Sequence, residues 1–153
     1  MNKSILVPII IGTIAATITA SNTSEVFAKN KIEGTDEDED LVGTEDDDTI
    51  NSKGGNDRNF GESGDDKIKS GDGNDENFGE SGDDKLKSGK GNDNNFGGLG
   101  DNKMNGGQGN DFLQGRDGAD KFQCGSGDND VVEGFNEEEG DKATGNCEIF
   151  LPG

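Results

Sequence analysis

Acidic side chains recur at a fixed interval through most of the chain. When the sequence is divided into nine-residue units from Gly34 to Val132, aspartate fills the sixth position in eight of the eleven units. These residues are Asp48, Asp57, Asp66, Asp75, Asp84, Asp93, Asp111 and Asp120. Carboxylate oxygens are the hard ligands that Ca²⁺ takes in proteins. A regular row of carboxylates therefore indicates a row of cation sites.

Glycine and apolar residues hold other positions of the same unit. Glycine fills the fourth position in nine units, and the eighth is aliphatic, Met or Phe in eight. Glycine allows a tight loop because it adopts positive φ without steric cost, and the residues after the aspartate suffice only for a short strand. Near-identical segments lie eighteen residues apart, GESGDDKIK at 61–69 and GESGDDKLK at 79–87. The pattern predicts loop, strand, loop, strand in each turn of eighteen residues.

Stacked turns would bring these carboxylates close together. Strands of neighbouring turns are expected about 4.8 Å apart. Two ionised aspartates at that separation repel by ~0.9 kcal/mol in water and by ~3.5 kcal/mol at an intermediate effective dielectric. Ca²⁺ would relieve this repulsion and accepts backbone carbonyls as well, whereas Mg²⁺ fits less well because it demands octahedral geometry and keeps its waters. The alternative is a solvated acidic surface, which does not require aspartate at every ninth residue.

The unit resembles the RTX, or hemolysin-type, calcium-binding repeat, GGxGxDxUx with U a large apolar residue. The resemblance covers residues 34–132 and implies an all-β fold, a parallel β-roll of two short-strand sheets with Ca²⁺ in the loops. It also implies that each ion takes the sixth-position aspartate of two successive turns. The fully aspartate pairs are 48/66, 66/84, 57/75, 75/93 and 93/111. Pairs that reach Asn102 or Asn129 lose a carboxylate and are expected to bind more weakly, and Glu39 departs in length.

Eighth-position side chains are expected to face the interior of the roll. In the middle of one sheet this position holds Asn59, Asn77 and Asn95, each followed by one of Phe60, Phe78 and Phe96. Either the asparagines face inward in amide ladders and the phenylalanines form an outward partner surface, or a local register slip reverses the two. In the first case Asn77→Leu is expected to be tolerated or stabilising.

The other sheet is expected to carry a basic strip on its outer face. Its members are Lys67, Lys69, Lys85, Lys87, Lys103 and Lys121. Such a strip is either a solvated face that discourages edge pairing or a contact for an anionic surface polymer.

Four segments follow from these patterns: a signal peptide at 1–28, an acidic N-terminal cap with degenerate repeats at 29–51, the β-roll at 52–132 and a C-terminal cap at 133–153. Lys3, an apolar run and a polar stretch ending at Ala28 form a secretory layout. Cleavage after Ala20 and retention as an anchor are the alternatives.

The two cysteines of the chain, Cys124 and Cys147, are expected to form one disulfide in an oxidising compartment.

Composition excludes several classes of function. The net charge of −20 argues against nucleic acid and anionic membranes as partners. The chain contains no histidine and little sequence outside the repeats, so an enzyme is not expected. The predicted function is a secreted, non-enzymatic protein that folds on binding several Ca²⁺ ions. The alternative is a calcium-stabilised cell-surface or polysaccharide-binding adhesion module that uses the Phe60, Phe78 and Phe96 face.

Overall fold

The computed structural model describes residues 7–11, 14–18 and 31–151, with side chains from 31 to 148. Strands β1 (Val7–Ile11) and β2 (Ile14–Ile18) pair with each other in antiparallel orientation. Within the described ranges, no helix is long and apolar enough to cross a membrane. The predicted cleavage points after Ala20 and Ala28 lie outside the described residues.

From residue 31 onward the chain forms two parallel sheets of seven strands. The Phe sheet contains, in spatial order, β4 (Asp40–Val42), β6 (Arg58–Phe60), β8 (Glu76–Ser81), β10 (Asn94–Leu99), β12 (Phe112–Gln114), β14 (Asp130–Glu133) and β16 (Cys147–Leu151). The Lys sheet contains β3 (Lys31–Glu33), β5 (Thr49–Gly54), β7 (Lys67–Asp72), β9 (Lys85–Lys90), β11 (Lys103–Gln108), β13 (Lys121–Ser126) and β15 (Lys142–Thr144). Successive strands alternate between the sheets, so the chain winds as a roll.

Residues eighteen apart pair across each sheet. Ile68 pairs with Leu86 on the Lys sheet, and Asn77 pairs with Asn95 on the Phe sheet. The predicted parallel β-roll of two short-strand sheets and eighteen residues per turn is confirmed. Strands on both sides of residues 52–132 continue the same two sheets, from β3 to β5 and from β15 to β16.

The interior is a narrow column of eighth-position side chains. On the Lys sheet this column is Ile50, Ile68, Leu86, Met104 and Phe122, each at most 1% exposed. On the Phe sheet it begins with Leu41, continues through Asn59, Asn77 and Asn95, and returns to apolar residues at Leu113. The column is only one side chain deep from each sheet, so the apolar core is thin.

The asparagines face inward and the phenylalanines outward, so there is no register slip at this point. Asn59 Nδ2 donates to Asn77 Oδ1 (2.9 Å), and Asn77 Nδ2 donates to Asn95 Oδ1 (3.0 Å). Serines from the Lys sheet join this ladder, because Ser70 Oγ donates to Asn77 Oδ1 (2.6 Å) and Ser88 Oγ to Asn95 Oδ1 (2.8 Å). The middle of the core is therefore a hydrogen-bonded polar network.

One register prediction at the C-terminal end is wrong. Val132, rather than Val131, pairs with Leu113 and is fully buried. The amide of Asp111 donates to Asp130 Oδ1, nineteen residues later, so Asp130 takes the place predicted for Asn129. A one-residue insertion in the last unit moves the pattern by one position.

The predicted Cys124–Cys147 disulfide is present, with the two Cα atoms 5.3 Å apart. Cys124 lies on β13 of the Lys sheet and is fully buried, whereas Cys147 begins β16 of the Phe sheet. The bond therefore ties the two sheets together at the C-terminal end of the roll.

Candidate metal centre

The loops between the sheets place the predicted aspartates in two columns. Edge A, where the chain passes from the Phe sheet to the Lys sheet, carries Asp48, Asp66, Asp84, Asn102, Asp120 and Asp141. Edge B, where it passes back, carries Glu39, Asp57, Asp75, Asp93, Asp111 and Asp130. All eight predicted aspartates lie in these columns, and each member follows the previous one by one turn.

Apart from Asp48 at the start of edge A, one carboxylate oxygen of each aspartate accepts a backbone amide of the preceding turn. The amide of Asp66 donates to Asp84 Oδ1 (2.8 Å), and the amide of Asp75 donates to Asp93 Oδ1 (2.8 Å). The same bond repeats along both edges. Every turn thus holds the carboxylate of the next turn in a fixed position and orientation.

The second carboxylate oxygen is buried and has no hydrogen-bond donor. This holds within the described chain for Oδ2 of Asp57, Asp66, Asp75, Asp84, Asp93, Asp111, Asp120 and Asp130. An unpaired buried acceptor costs about 1–3 kcal/mol, and more when it is charged. Glycine in the same unit makes room for this atom, because a Cβ on Gly79 would overlap Asp84 Oδ2. The arrangement is a repeated cradle of oxygen atoms that fits a cation.

Burial raises the pKa of these carboxyl groups. The pKa rises to about 7 at Asp66 and Asp93. It rises to about 6 at Asp57, Asp84, Asp111 and Asp120. Neighbouring carboxylates add to the burial effect, as Asp84 and Asp48 do for Asp66, while the amide hydrogen bond opposes it. A cation at the free oxygen would reverse the shift, because positive charge favours the ionised form.

Asn102, which replaces an aspartate on edge A, indicates which group lies opposite the Oδ2 atom of the aspartates. Its Oδ1 accepts the amide of Asp84 as an aspartate would, and its Nδ2 donates to the carbonyl of Gly100 (3.0 Å). An aspartate in this position directs an acceptor toward the same fourth-position carbonyl. Two facing acceptors need a cation or a donor between them, and the carboxamide supplies the donor at Asn102.

Side chains alone do not complete a calcium shell. Across the described residues, no three acidic or cysteine side chains converge on one point. Ca²⁺ takes six to eight oxygens and accepts backbone carbonyls. The residues present fit Ca²⁺ if each ion combines aspartate oxygens of successive turns with loop carbonyls such as those of Gly64 and Gly82.

Threonines close the N-terminal end of both columns. Thr44 donates its amide (2.6 Å) and its hydroxyl (3.0 Å) to Asp48 Oδ2. Thr35 makes the corresponding bonds to Glu39 (2.7 and 3.1 Å). The second oxygen of the predicted ligand Asp48 is therefore hydrogen-bonded, unlike that of Asp66.

Sequence reasoning missed two members of the columns. Asp130 is displaced by the insertion in the last unit, and Asp141 accepts the amide of Asp120 (2.7 Å) from outside the repeats. Asp141 Oδ2 also accepts the amide of Asn136 (2.8 Å), which fixes the final loop. The acidic stretch EEEGD at 137–141 could have indicated Asp141. Asp141 lies twenty-one residues after Asp120 instead of eighteen, so the repeat period did not predict its place in the column.

Fifth-position residues make the two edges electrostatically different. On edge A this position holds exposed Asp65, Asp83 and Asp101, and on edge B it holds Asn74, Asn92 and Asn110. Each accepts the amide of the residue one turn later, as Asp65 Oδ1 does from Asp83 (2.9 Å) and Asn74 Oδ1 from Asn92 (2.7 Å). In the middle turns edge A therefore carries up to two carboxylates and edge B one, whereas the first and last described turns of edge B add Asp38 and Asp128.

Comparison with known families gives one match. The description of the matching family is RTX calcium-binding nonapeptide repeat, found in four copies at residues 33–68, 52–86, 60–94 and 96–131. The chain belongs to this family. RTX nonapeptide repeats bind Ca²⁺, so the chain is a calcium-binding β-roll. Searches of curated proteins and of solved structures returned no match.

Proposed function

We propose that the chain is an exported, non-enzymatic protein whose folding is driven by Ca²⁺ bound along edges A and B. The ligands in this proposal are Asp48, Asp57, Asp66, Asp75, Asp84, Asp93, Asp111 and Asp120. The observation that carries it is the buried Oδ2 atom without a donor, repeated in turn after turn. A single such atom would be a local packing defect, whereas its repetition along two columns supports a series of cation sites.

The proposal that the protein is not an enzyme is supported by the structural role of its buried aspartates, which accept backbone amides along the roll. The buried aspartates are held by amide hydrogen bonds in a uniform column, so no carboxylate is set apart as an acid or base. The sequence has no histidine, and both cysteines form the disulfide.

Two neighbouring residues test the ligand assignment. Asp66→Asn should lower the number of Ca²⁺ ions bound, measured by isothermal titration calorimetry, because it places a carboxamide where Asn102 already has one. Asp65→Asn is the matched control, since it removes the same charge from an exposed residue and reproduces the Asn74 arrangement of edge B. Equal loss in both variants would show that calcium responds to total charge rather than to the buried column.

Export is proposed from the N-terminal sequence and from the disulfide, which persists in oxidising compartments. Intact mass of the protein isolated from the medium is expected to match residues 29–153 with one disulfide. A chain that keeps residues 1–28, or that carries two free thiols, would contradict this part of the proposal.

Adhesion through the outward face of Phe60, Phe78 and Phe96 is the second candidate function. Phe60 and Phe78 are parallel within 4° with centroids 5.0 Å apart, and Phe78 and Phe96 are parallel within 8° at 4.9 Å. Two rings lying side by side in one plane would clash at a centroid distance of 5.0 Å, so these parallel rings are stacked face to face. Phe78 is covered on both faces, and only ring edges remain for a partner. A sugar that stacks on ring faces would find none free in the middle of the column.

A further inference from the structure

The outer face of the Lys sheet is strongly basic in an acidic protein. Ten of the fourteen Lys and Arg residues of the chain lie on its strands, together with two carboxylates, Glu33 and Asp72. Every one of the ten lysines is exposed. Although the net charge is −20, the positive charges are concentrated on this face and the negative charges on the two edges.

Most of these lysines have no counter-charge in the described part of the molecule. Ion pairs on this face involve only Lys31, Lys53 and Lys90. Lys67, Lys85, Lys103, Lys121 and Lys142 stand directly opposite one another on neighbouring strands. Like charges that face each other across strands are destabilising. The row therefore opposes sheet formation unless an anion lies along it.

A groove runs beside this row along the axis of the roll. Its floor is Gly71, Gly89, Gly107 and Gly125, which pair across four successive strands. One wall contains Lys69, Lys87, Asn105 and Gln123. The other contains Asp72, Lys90, Gln108 and Ser126, and there Asp72 forms an ion pair with Lys90 (2.7 Å). We call this feature the lysine groove. The groove is one glycine wide, and because Lys90 is paired with Asp72, its ammonium groups without an ion-pair partner among the described residues are those of Lys69 and Lys87, beside amide and hydroxyl groups.

The glycine floor is not imposed by the fold alone. These glycines have positive φ and lie close to the preceding turn, so a Cβ on Gly71 would overlap the carbonyl of Lys53. On the Phe sheet, however, the same second position holds Glu62 and Glu80, with φ of 76° and 77°. The roll thus accommodates side chains at this position, and on the Lys sheet itself Lys53 occupies it with φ of 79°. The next four turns of the Lys sheet nevertheless hold glycine there.

We propose that the lysine groove binds a linear anionic polysaccharide. An extended polymer with charges repeated along its length matches lysines repeated at the strand spacing of about 4.8 Å. Amide and hydroxyl groups of the walls can bond to sugar hydroxyls. Among the described outward residues of this sheet none is aromatic. Single-stranded nucleic acid therefore lacks the stacking platforms it requires, and a membrane lacks apolar anchors.

Calcium controls this site because the groove exists only in the folded roll. Each bound Ca²⁺ also adds two positive charges and so weakens the long-range repulsion of a polyanion by the acidic edges. Calcium and glycan binding are therefore coupled with the same sign, although calcium binds at the edges, the glycan binds on the outer face of the Lys sheet, and the two use different residues. None of the proposed calcium ligands lines the groove.

Dextran sulfate and unmodified dextran are a matched pair of probes, binding being measured in excess calcium at low ionic strength. The calcium-loaded protein should bind dextran sulfate and not dextran, and binding should weaken as salt is added. Lys69→Gln/Lys87→Gln should weaken it about tenfold through the loss of two contacts. Arg58→Gln/Arg116→Gln removes the same charge from the Phe-sheet side and should change binding less than about twofold. Circular dichroism in calcium shows whether each variant folds.

Four results would overturn the proposal. They are no binding of dextran sulfate, equal weakening by the two double variants, binding that persists in chelator, and equal affinity for single-stranded DNA. The last would identify a general polyanion surface instead of a glycan groove. Failure here leaves the calcium sites unaffected, because their test counts ions and not glycan.

Discussion

At the scale of single residues, the decisive feature is a carboxylate whose two oxygens have different surroundings. Oδ1 is held by an amide of the preceding turn, and Oδ2 is buried without a donor. The nine-residue period was enough to predict which aspartates occupy this position. It could not predict the amide hydrogen bonds, which depend on how closely successive turns stack, nor Asp130 and Asp141, which lie out of phase with it.

Asn102→Asp should complete edge A. The new carboxylate restores aspartate pairs with Asp84 and Asp120, so more calcium should bind by calorimetry at neutral pH. The variant also loses the Nδ2 bond to Gly100, so it should need calcium more strongly for folding. Asn92→Asp is the control, because it adds the same charge at an exposed position that keeps its Oδ1 acceptor. Identical behaviour of the two variants would refute the special role of the column.

Asn77→Leu should destabilise the calcium-loaded protein by roughly 2 kcal/mol, since it removes partners of several buried polar groups. The sequence alone predicted tolerance, because it did not show that Ser70 and Ser88 donate into the ladder. Asn95→Leu should cost less, because Asn95 Nδ2 already lacks a partner and Leu113 is the next residue of the column. Urea denaturation in calcium measures both, and a more stable Asn77→Leu variant would contradict this reading of the core.

At the scale of elements, short strands followed predictably from the spacing of glycine, aspartate and apolar residues. The inward direction of Asn59 did not, because strand alternation allows either phase when the eighth residue is polar and the ninth is aromatic. The structure favours inward asparagines because their amides bond to one another from turn to turn, and the central Asn77 both donates to Asn95 and accepts from Asn59. The outward phenylalanines then stack at the same spacing and lose part of their exposed surface.

Each edge is an element in which several buried carboxyl groups have a raised pKa. Burial raises the pKa to about 6 at Asp57, Asp84, Asp111 and Asp120 and to about 7 at Asp66 and Asp93, above the usual value of about 4. The folded state therefore binds more protons than the unfolded state between these values, and stability falls as pH rises through 6 to 7. Calcium-free protein should gain β-structure by circular dichroism when the pH is lowered from 7.5 to 5, which remains above the pI of about 4.1. Loss of structure on acidification would contradict the burial of these groups.

At the scale of the whole molecule, little apolar surface supports a highly charged chain. Only 25% of residues are hydrophobic, and the net charge is −20. Such a composition favours disorder, because burial of apolar surface offsets too little of the ordering entropy. Ions that bind only the folded state shift the balance toward it, and the disulfide lowers the entropy of the unfolded chain. The roll is therefore expected to be stable with calcium and largely unfolded without it.

A calcium titration followed by far-ultraviolet circular dichroism tests this central claim most directly. The protein should be largely coil in chelator and should convert cooperatively to β-structure at about 10⁻⁴–10⁻³ M Ca²⁺, the range of extracellular calcium modules. Chelator should reverse the change, and Asp75→Ala should move the midpoint to higher calcium because its carboxylate serves two proposed sites. A spectrum that is already rich in β-structure in chelator at neutral pH, and unchanged by millimolar calcium, would contradict the account.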